Sequence, residues 1–249
     1  QDIMNARHQS IIELLSERGS VSVSELALTT GVSEVTMRQD LNQLEKEGLL
    51  RRVHGSAVAA GGDDVGVRMQ TRFAVKKRLA DYAASLVNEG ETVFIEGGST
   101  NALLAQALSE RHDVTLVTVS HYIAGLLREK GGDVIILGGL FQKSSESVVG
   151  PLTRLCIQQL NFHKVFIGID GWDRATGFTG RNMLRCDVVH ALLEKPTHTI
   201  ALTDSSKFGQ IHPYALAPHQ PFRQLITDSE LDPAAQALLA AQGTEVTRI

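Results

Sequence analysis

Cysteine is nearly absent: the 249 residues carry two, Cys156 and Cys186. Two thiols cannot staple a chain of this size, and without an export signal they read as reduced, which points to the cytoplasm. The opening Gln1-Asp2-Ile3 has neither the charged start nor the apolar stretch of a secretory leader, and Met4 reads as the start of the chain proper. No apolar run approaches the ~18 residues that span a bilayer, so no membrane association is expected. Histidines are scattered, and the nearest pair, His212 and His219, has no close Cys or Glu to complete a site; neither a metal nor another cofactor is expected. A basic excess is missing too, since 24 Lys and Arg face 28 Asp and Glu.

What is present suits a small domain followed by a medium one, each able to bury a core. Arg7 to Glu17 places Ile11, Ile12, Leu14 and Leu15 on one helical face, and Gly19 stops that helix. Ser22 and Glu25 have capping-box spacing at the start of a second helix, which runs to about Thr30. Gly31 makes the turn and Ser33 caps a third helix, continuing to about Glu47 before Gly48 ends it.

On that third helix Met37, Leu41 and Leu44 follow core spacing. Val35, Arg38, Gln39, Asn42 and Lys46 are left on an outer, mostly polar face, with Ser33 and Thr36 at its start. Arg and Gln near the beginning of such a helix can form paired hydrogen bonds with base edges in a major groove. Residues 49–58 read as a hairpin with Arg51, Arg52 and His54 placed to touch phosphates, which completes a winged helix-turn-helix over residues 4–58. Those residues hold six Lys or Arg against seven Asp or Glu, a net charge of −1. Phosphate neutralisation supplies most non-specific DNA affinity, so a single head should bind double-stranded DNA weakly. A homodimer or homotetramer whose heads engage an operator together is therefore expected.

Residues 59–73 include the small, Gly-rich, acidic stretch 59–66 and read as a linker. In the α/β domain expected over residues 74–249, a helix from Ala74 to Val87 places Val75, Leu79, Tyr82, Ala83 and Leu86 on one face, with Lys76, Lys77 and Arg78 outside it. Short apolar runs then alternate with helical stretches: Thr92 to Ile95, Thr115 to Val119, Val134 to Leu137, Val165 to Ile169, Thr199 to Leu202 and Leu225 to Thr227. This pattern predicts a Rossmann-like α/β fold, a largely parallel sheet with helices on both faces.

Polar and glycine residues follow those runs: Gly97-Gly98-Ser99-Thr100 before a helix beginning near Asn101, then Ser120, Gly138-Gly139, Asp170-Gly171, and Asp204-Ser205-Ser206-Lys207. Ligands of open α/β sheets bind outside the carboxyl ends of the strands, and the start of a helix favours an anion. Residues 208–223, with Pro213, Pro218 and Pro221, read as a surface loop near this crevice.

The stretch from Val21 to Val58 resembles the DNA-binding half of the DeoR family of bacterial regulators. Gln39 stands where the family commonly has a second arginine, and Ser56 where its wing has a second glycine, so operator sequence is not carried over. G-G-S-T, V-I-I-L-G-G, F-I-G-I-D-G and D-S-S-K-F-G resemble the family's effector domain. The resemblance implies a sensor domain related in fold to ribose-5-phosphate isomerase, and an operator affinity modulated by a phosphorylated sugar or related metabolite, most commonly in a repressor. It also implies that Gly98, Ser99 and Thr100 hold a phosphate, Asp170 sugar hydroxyls, and Lys207 negative charge, with Lys143, Thr179 and Arg181 in nearby loops. Two alternatives use the same residues. One is an isomerase-like enzyme with Asp170 as base and Lys207 as electrostatic partner; the other is a ligand-independent DNA-bridging protein.

Overall fold

The computed structural model describes residues 6–59 and 65–249, which divide into two compact units at Phe73 and Ala74. Met4 and residues 60–64 of the expected linker lie outside the described residues.

The first unit runs α1 (Ala6–Arg18), β1 (Ser20–Ser22), α2 (Val23–Thr30), α3 (Glu34–Lys46), β2 (Leu50–Val53), β3 (Ser56–Ala59) and α4 (Val65–Gln70). Ile11, Ile12 and Leu15 of α1 meet Leu26 of α2, Met37, Leu41 and Leu44 of α3, and Leu50 and Ala57 of the sheet in one buried cluster. Each such aliphatic side chain contributes about 1.5–3 kcal/mol on burial. Ser22 caps α2 by accepting from the Glu25 N–H at 3.2 Å. The expected reciprocal arm of that capping box is diverted, because the Glu25 carboxylate pairs with Arg18 of α1. The strands are ordered β1-β3-β2, all antiparallel, and His54-Gly55 at the wing tip have φ of 38° and 78°. Two successive positive φ values match the right-handed twist of a two-residue hairpin, which is why glycine stands there.

The second unit begins with α5 (Phe73–Ser85), β4 (Thr92–Ile95), α6 (Ser99–Ala107), β5 (Thr115–Thr118), α7 (His121–Leu126) and β6 (Val134–Ile136). A hairpin of β7 (Leu140–Gln142) and β8 (Ser147–Val149) leads to α8 (Pro151–Gln158), β9 (Lys164–Ile167), β10 (Gly171–Asp173), β11 (Gly177–Gly180) and α9 (Met183–Leu193). The chain ends with β12 (His198–Leu202), β13 (Tyr214–Ala215), β14 (Gln224–Thr227), α10 (Pro233–Ala241) and β15 (Glu245–Arg248).

Seven strands form an all-parallel sheet in the order β15-β14-β12-β9-β4-β5-β6. The chain leaves β4 in two directions, first through β5 to β6 and later from β9 through β12 and β14 to β15. Right-handed crossovers consequently place α6 and α7 on one face, and α9 and α10 on the other. Phe94, Val117, Val165, Ile167, Ala201 and Leu225 from the strands pack with Val189 and Leu192 of α9 in the buried core. The expected α/β fold is present, and each of the six apolar runs read as strands overlaps one. Among the described residues no helix is long and apolar enough to cross a membrane.

Two expectations are corrected. Lys76 lies on the buried face of α5 with Leu79, Ala80 and Ala83, and its charge acts on Asp204. Residues 208–223 are not a plain surface loop: β13 pairs with β11, and Leu216 and Phe222 are fully buried. Apolar residues widely spaced between prolines carry no periodicity, so this anchoring had no local signal.

Candidate DNA-binding face and effector crevice

In the first unit α3 presents Val35, Arg38, Gln39, Asn42 and Lys46 on its exposed side, while Met37, Leu41 and Leu44 are buried. Ser33 caps the helix through the Thr36 N–H at 3.2 Å, and its hydroxyl lies 3.0 Å from that of Thr36. Arg38 pairs with Glu34 one turn earlier at 2.7 Å, an exposed contact that water and salt weaken. Arg51 and His54 are exposed on the wing. Arg52 turns back towards α3, its guanidinium donating to Asn42 and its backbone N–H to Glu45 at 2.8 Å. The structure thus joins Arg52 and Asn42 to each other.

What orients α3 is Asp40, on its inner side and buried. The carboxylate accepts from Arg7 Nε and Nη2 at 2.6 and 3.1 Å and lies 3.0 Å from His8 Nε2, both on α1. Burial pushes this carboxyl up, but the Arg7 and His8 contacts more than offset it and hold it below the usual carboxylate range.

In the second unit the switch point of the parallel sheet lies between β4 and β9, and the carboxyl ends of the strands there are where open α/β sheets bind ligands. Gly97 and Gly98 follow β4; Gly98 is the N-cap of α6, so Ser99, Thr100 and Asn101 occupy its first turn. This nine-residue helix has no side-chain cap, so its start offers first-turn backbone N–H groups together with the positive end of the helix dipole. Asp170, just beyond β9, accepts from the Arg181 N–H at 2.9 Å and from Arg185 Nη1 at 2.9 Å. Arg185 also donates through Nε and Nη2 to Glu96 at 2.7 and 3.2 Å, and through Nη2 to the Gly168 carbonyl. Burial works against its charge, yet Glu96 and Asp170 outweigh it, so the guanidinium holds its proton more tightly than a free one. Next to it burial, with Asp170 and Glu96, pushes the Cys186 thiol up to about 11 despite Arg185, which disfavours the thiolate.

The remaining expected crevice residues divide. Lys207 ends a 3-10 turn (Ser205–Lys207), and its charge, with that of Lys76, favours the ionised form of buried Asp204. Burial opposes that ionisation, but the Ser206 contact and the two lysines prevail and hold the carboxyl below the usual range. Lys143 is exposed in the turn between β7 and β8, and the Arg181 side chain is exposed.

Others serve the scaffold. Ser120 caps α7, accepting from the Ile123 N–H at 3.1 Å. Thr179 is buried in β11 and accepts from the His212 N–H at 3.0 Å. Gly138 gives its carbonyl to Thr153 of α8 at 2.7 Å, and a Cβ on Gly139 would stand 2.0 Å from that Thr153 hydroxyl. Both glycines follow β6 at the sheet edge, two strands from the switch point. A Cβ on Gly171 would stand 2.4 Å from the Gln210 carbonyl, so Gly171 permits close packing of the segment after Lys207. Glycine after a strand serves a close backbone approach as well as a ligand, and sequence does not separate the two.

Sequence reasoning missed Glu96 and Arg185. Glu96 stood directly before Gly97-Gly98 at a strand end, and Arg185 was a lone cation entering the apolar stretch to Leu193. Those were signals, but their pairing across 89 positions was not among them.

A winged helix-turn-helix head followed by an α/β unit with glycines and paired charges at its strand ends defines a DNA-binding regulator with a sensor domain. Residues 7–61 match the DeoR-like helix-turn-helix domain, and residues 72–229 match the DeoR C terminal sensor domain. The chain belongs to the DeoR family of transcriptional regulators. It is 32% identical to the HTH-type transcriptional regulator YulB of Bacillus subtilis, over 98% of this chain and 96% of that protein. It is 29% identical to the L-fucose operon activator of Haemophilus influenzae, over 92% of this chain and 93% of that protein. Among solved structures, ribose 5-phosphate isomerase A from Methanocaldococcus jannaschii matches 55% of each chain with a TM-score of 0.41 and 18% identity. That likeness is too slight to argue from, and the fold assignment rests on strand order.

Proposed function

We propose that this chain is a cytoplasmic, homo-oligomeric regulator whose operator affinity is set by a phosphorylated sugar bound in the second unit. One observation carries the reading: the start of α6 sits at the β4/β9 switch point, beside a largely buried charge cluster. The phosphate would take the N–H groups of Ser99 and Thr100, with Gly97, Gly98 and Asn101 around it, and Lys207 would add charge. The sugar-operon name of the L-fucose relative supports a sugar effector. Operator contact is assigned to Ser33, Val35, Thr36, Arg38, Gln39, Asn42 and Lys46 of α3 and its cap, and to Arg51, Arg52 and His54 of the wing. The net charge of −1 on the head supports binding through a dimer or tetramer. Repression relieved by effector is the proposed sign. Within the family, the stretch S-E-S-V-V-G-P-L-T-R at residues 145–154 resembles the enterobacterial regulator YciT, and we place the chain nearest to it.

Catalysis has less support. The Asp170 carboxylate required as a base is engaged by Arg185 and by the Arg181 N–H, an arrangement suited to fixed recognition rather than proton transfer. Thermal unfolding of the full chain with sugars and their phosphate esters tests the reading. A ligand at 100 times its dissociation constant stabilises by about 2.7 kcal/mol, and the shift should be confined to phosphorylated compounds. No shift from any ester would remove the sensor assignment, and turnover of ribose 5-phosphate at an enzymatic rate would replace it with the isomerase.

A further inference from the structure

Around the switch point the donors of Arg185 are nearly used up, the Glu96 carboxylate accepts from Arg185 and from the Gly168 N–H at 3.4 Å, and one buried acceptor, Asn101 Oδ1, is left over. Arg185 has four N–H bonds committed, two to Glu96, one to Asp170 and one to the Gly168 carbonyl. A guanidinium has five, so little remains for a ligand unless a carboxylate is displaced. Asn101, 1% exposed, gives its amide nitrogen to the Gly97 and Phe166 carbonyls at 2.8 and 3.4 Å, while its Oδ1 has no partner. A buried acceptor left unmade costs about 1–3 kcal/mol.

The same patch is closely joined. A Cβ on Gly168 would meet the Gly97 carbonyl at 3.1 Å, Arg185 Nη2 at 3.6 Å and Asn101 Nδ2 at 3.8 Å. Two carboxylates, Glu96 and Asp170, share the single guanidinium. Gly98 has nothing within 4 Å of its would-be Cβ, which leaves the approach over the start of α6 clear.

We infer that the effector presents a hydrogen-bond-donating cation to this patch, so that the crevice selects a phosphorylated amino sugar over a phosphorylated sugar acid. The inference rests on the sensor reading above and specifies its ligand. The phosphate end lies at the start of α6, and the protonated amine faces Glu96 and Asn101 Oδ1. A carboxylate there would meet two acceptors and a guanidinium already engaged. A neutral hydroxyl donates without charge and ranks between them, because charge-assisted hydrogen bonds are about twice as strong as neutral ones.

The test is calorimetric titration of the full chain with glucosamine 6-phosphate, glucose 6-phosphate, 6-phosphogluconate and inorganic phosphate. The amine should bind about tenfold tighter than the hydroxyl compound, and the acid weaker than both. Glu96→Gln supplies an amide donor and should narrow the gap between amine and acid to under about tenfold. If that variant unfolds, Asn101→Asp replaces it and should widen the gap. Equal binding of all three esters, or tighter binding of the acid, overturns the inference while leaving the sensor reading intact. An order unchanged in a folded variant overturns it equally. Failure of every ester to bind overturns the sensor reading itself, and the inference falls with it.

Discussion

Asp40 shows how one residue ties reading to stability. It lies between the exposed Gln39 and the buried Leu41, and its bonds to Arg7 and His8 clamp the recognition helix to α1. Asp40→Asn keeps the shape and removes the charge, and should destabilise the head by about 2–3 kcal/mol near neutral pH. The native carboxyl is held below its usual range, so its stabilisation is present above the unfolded value near 4 and fades as pH falls through the native one. Thermal unfolding of both proteins between pH 7 and pH 2 checks this: the gap between their midpoints should close in acid. A gap independent of pH would assign the role to shape alone.

Elements carry the next level of argument. The Gly138-Gly139 turn, which reads in sequence as a crevice loop, seats the β6–β7 connection against α8. Gly139 has φ of 153°, and an added Cβ would lie 2.0 Å from Thr153 Oγ1 and 2.8 Å from the Val149 carbonyl. The hydroxyl is held by Gly138 and the carbonyl belongs to a strand, so neither yields cheaply. Gly139→Ala should cost about 1–3 kcal/mol in urea unfolding. Effector affinity per folded molecule should be unchanged; selective loss of effector binding at unchanged stability would return the turn to the crevice. On α3 the contrast is an element whose outer face contributes little to its own unit. Arg38→Ala gives up one exposed ion pair and should leave the unfolding midpoint nearly unmoved, while operator binding weakens by about 1–3 kcal/mol, read by gel shift. Unchanged affinity would remove Arg38 from the interface.

At the scale of the whole molecule, two units must exchange free energy for a metabolite to control DNA. Allosteric couplings amount to about 1–3 kcal/mol, or roughly 5- to 150-fold in affinity. Operator titrations of the full chain with and without a saturating phosphorylated effector should differ within that range, with the effector-bound form weaker for a repressor. Linkage requires the converse, that operator DNA weakens effector binding by the same factor. Equal operator affinity in both titrations would leave the second unit as an oligomerisation or scaffold domain. Light scattering of the free chain is the companion measurement, since a head with a net charge of −1 is expected to act in pairs.

Periodicity and caps determined the head from sequence alone. Met37, Leu41 and Leu44 had to be buried because a 3.6-residue repeat allows no other face, and Ser33 marked the start of α3 because its hydroxyl satisfies an otherwise unpaired N–H. The parallel strands were legible as short apolar runs because both faces of such a sheet are covered. Strand β15, the β7–β8 hairpin and the β10-β11-β13 sheet were not, being short, partly polar and defined by distant pairing. The candidate site divides the same way. Gly98, Ser99 and Asp170 stood at strand ends in the sequence, whereas the Glu96–Arg185–Asp170 cluster, the burial of Lys76 and the scaffold roles of Gly139 and Thr179 were decided only by tertiary structure. Local pattern fixes which way a side chain faces along its own element; which charges then meet depends on strand order, and that order is written in contacts far apart along the chain.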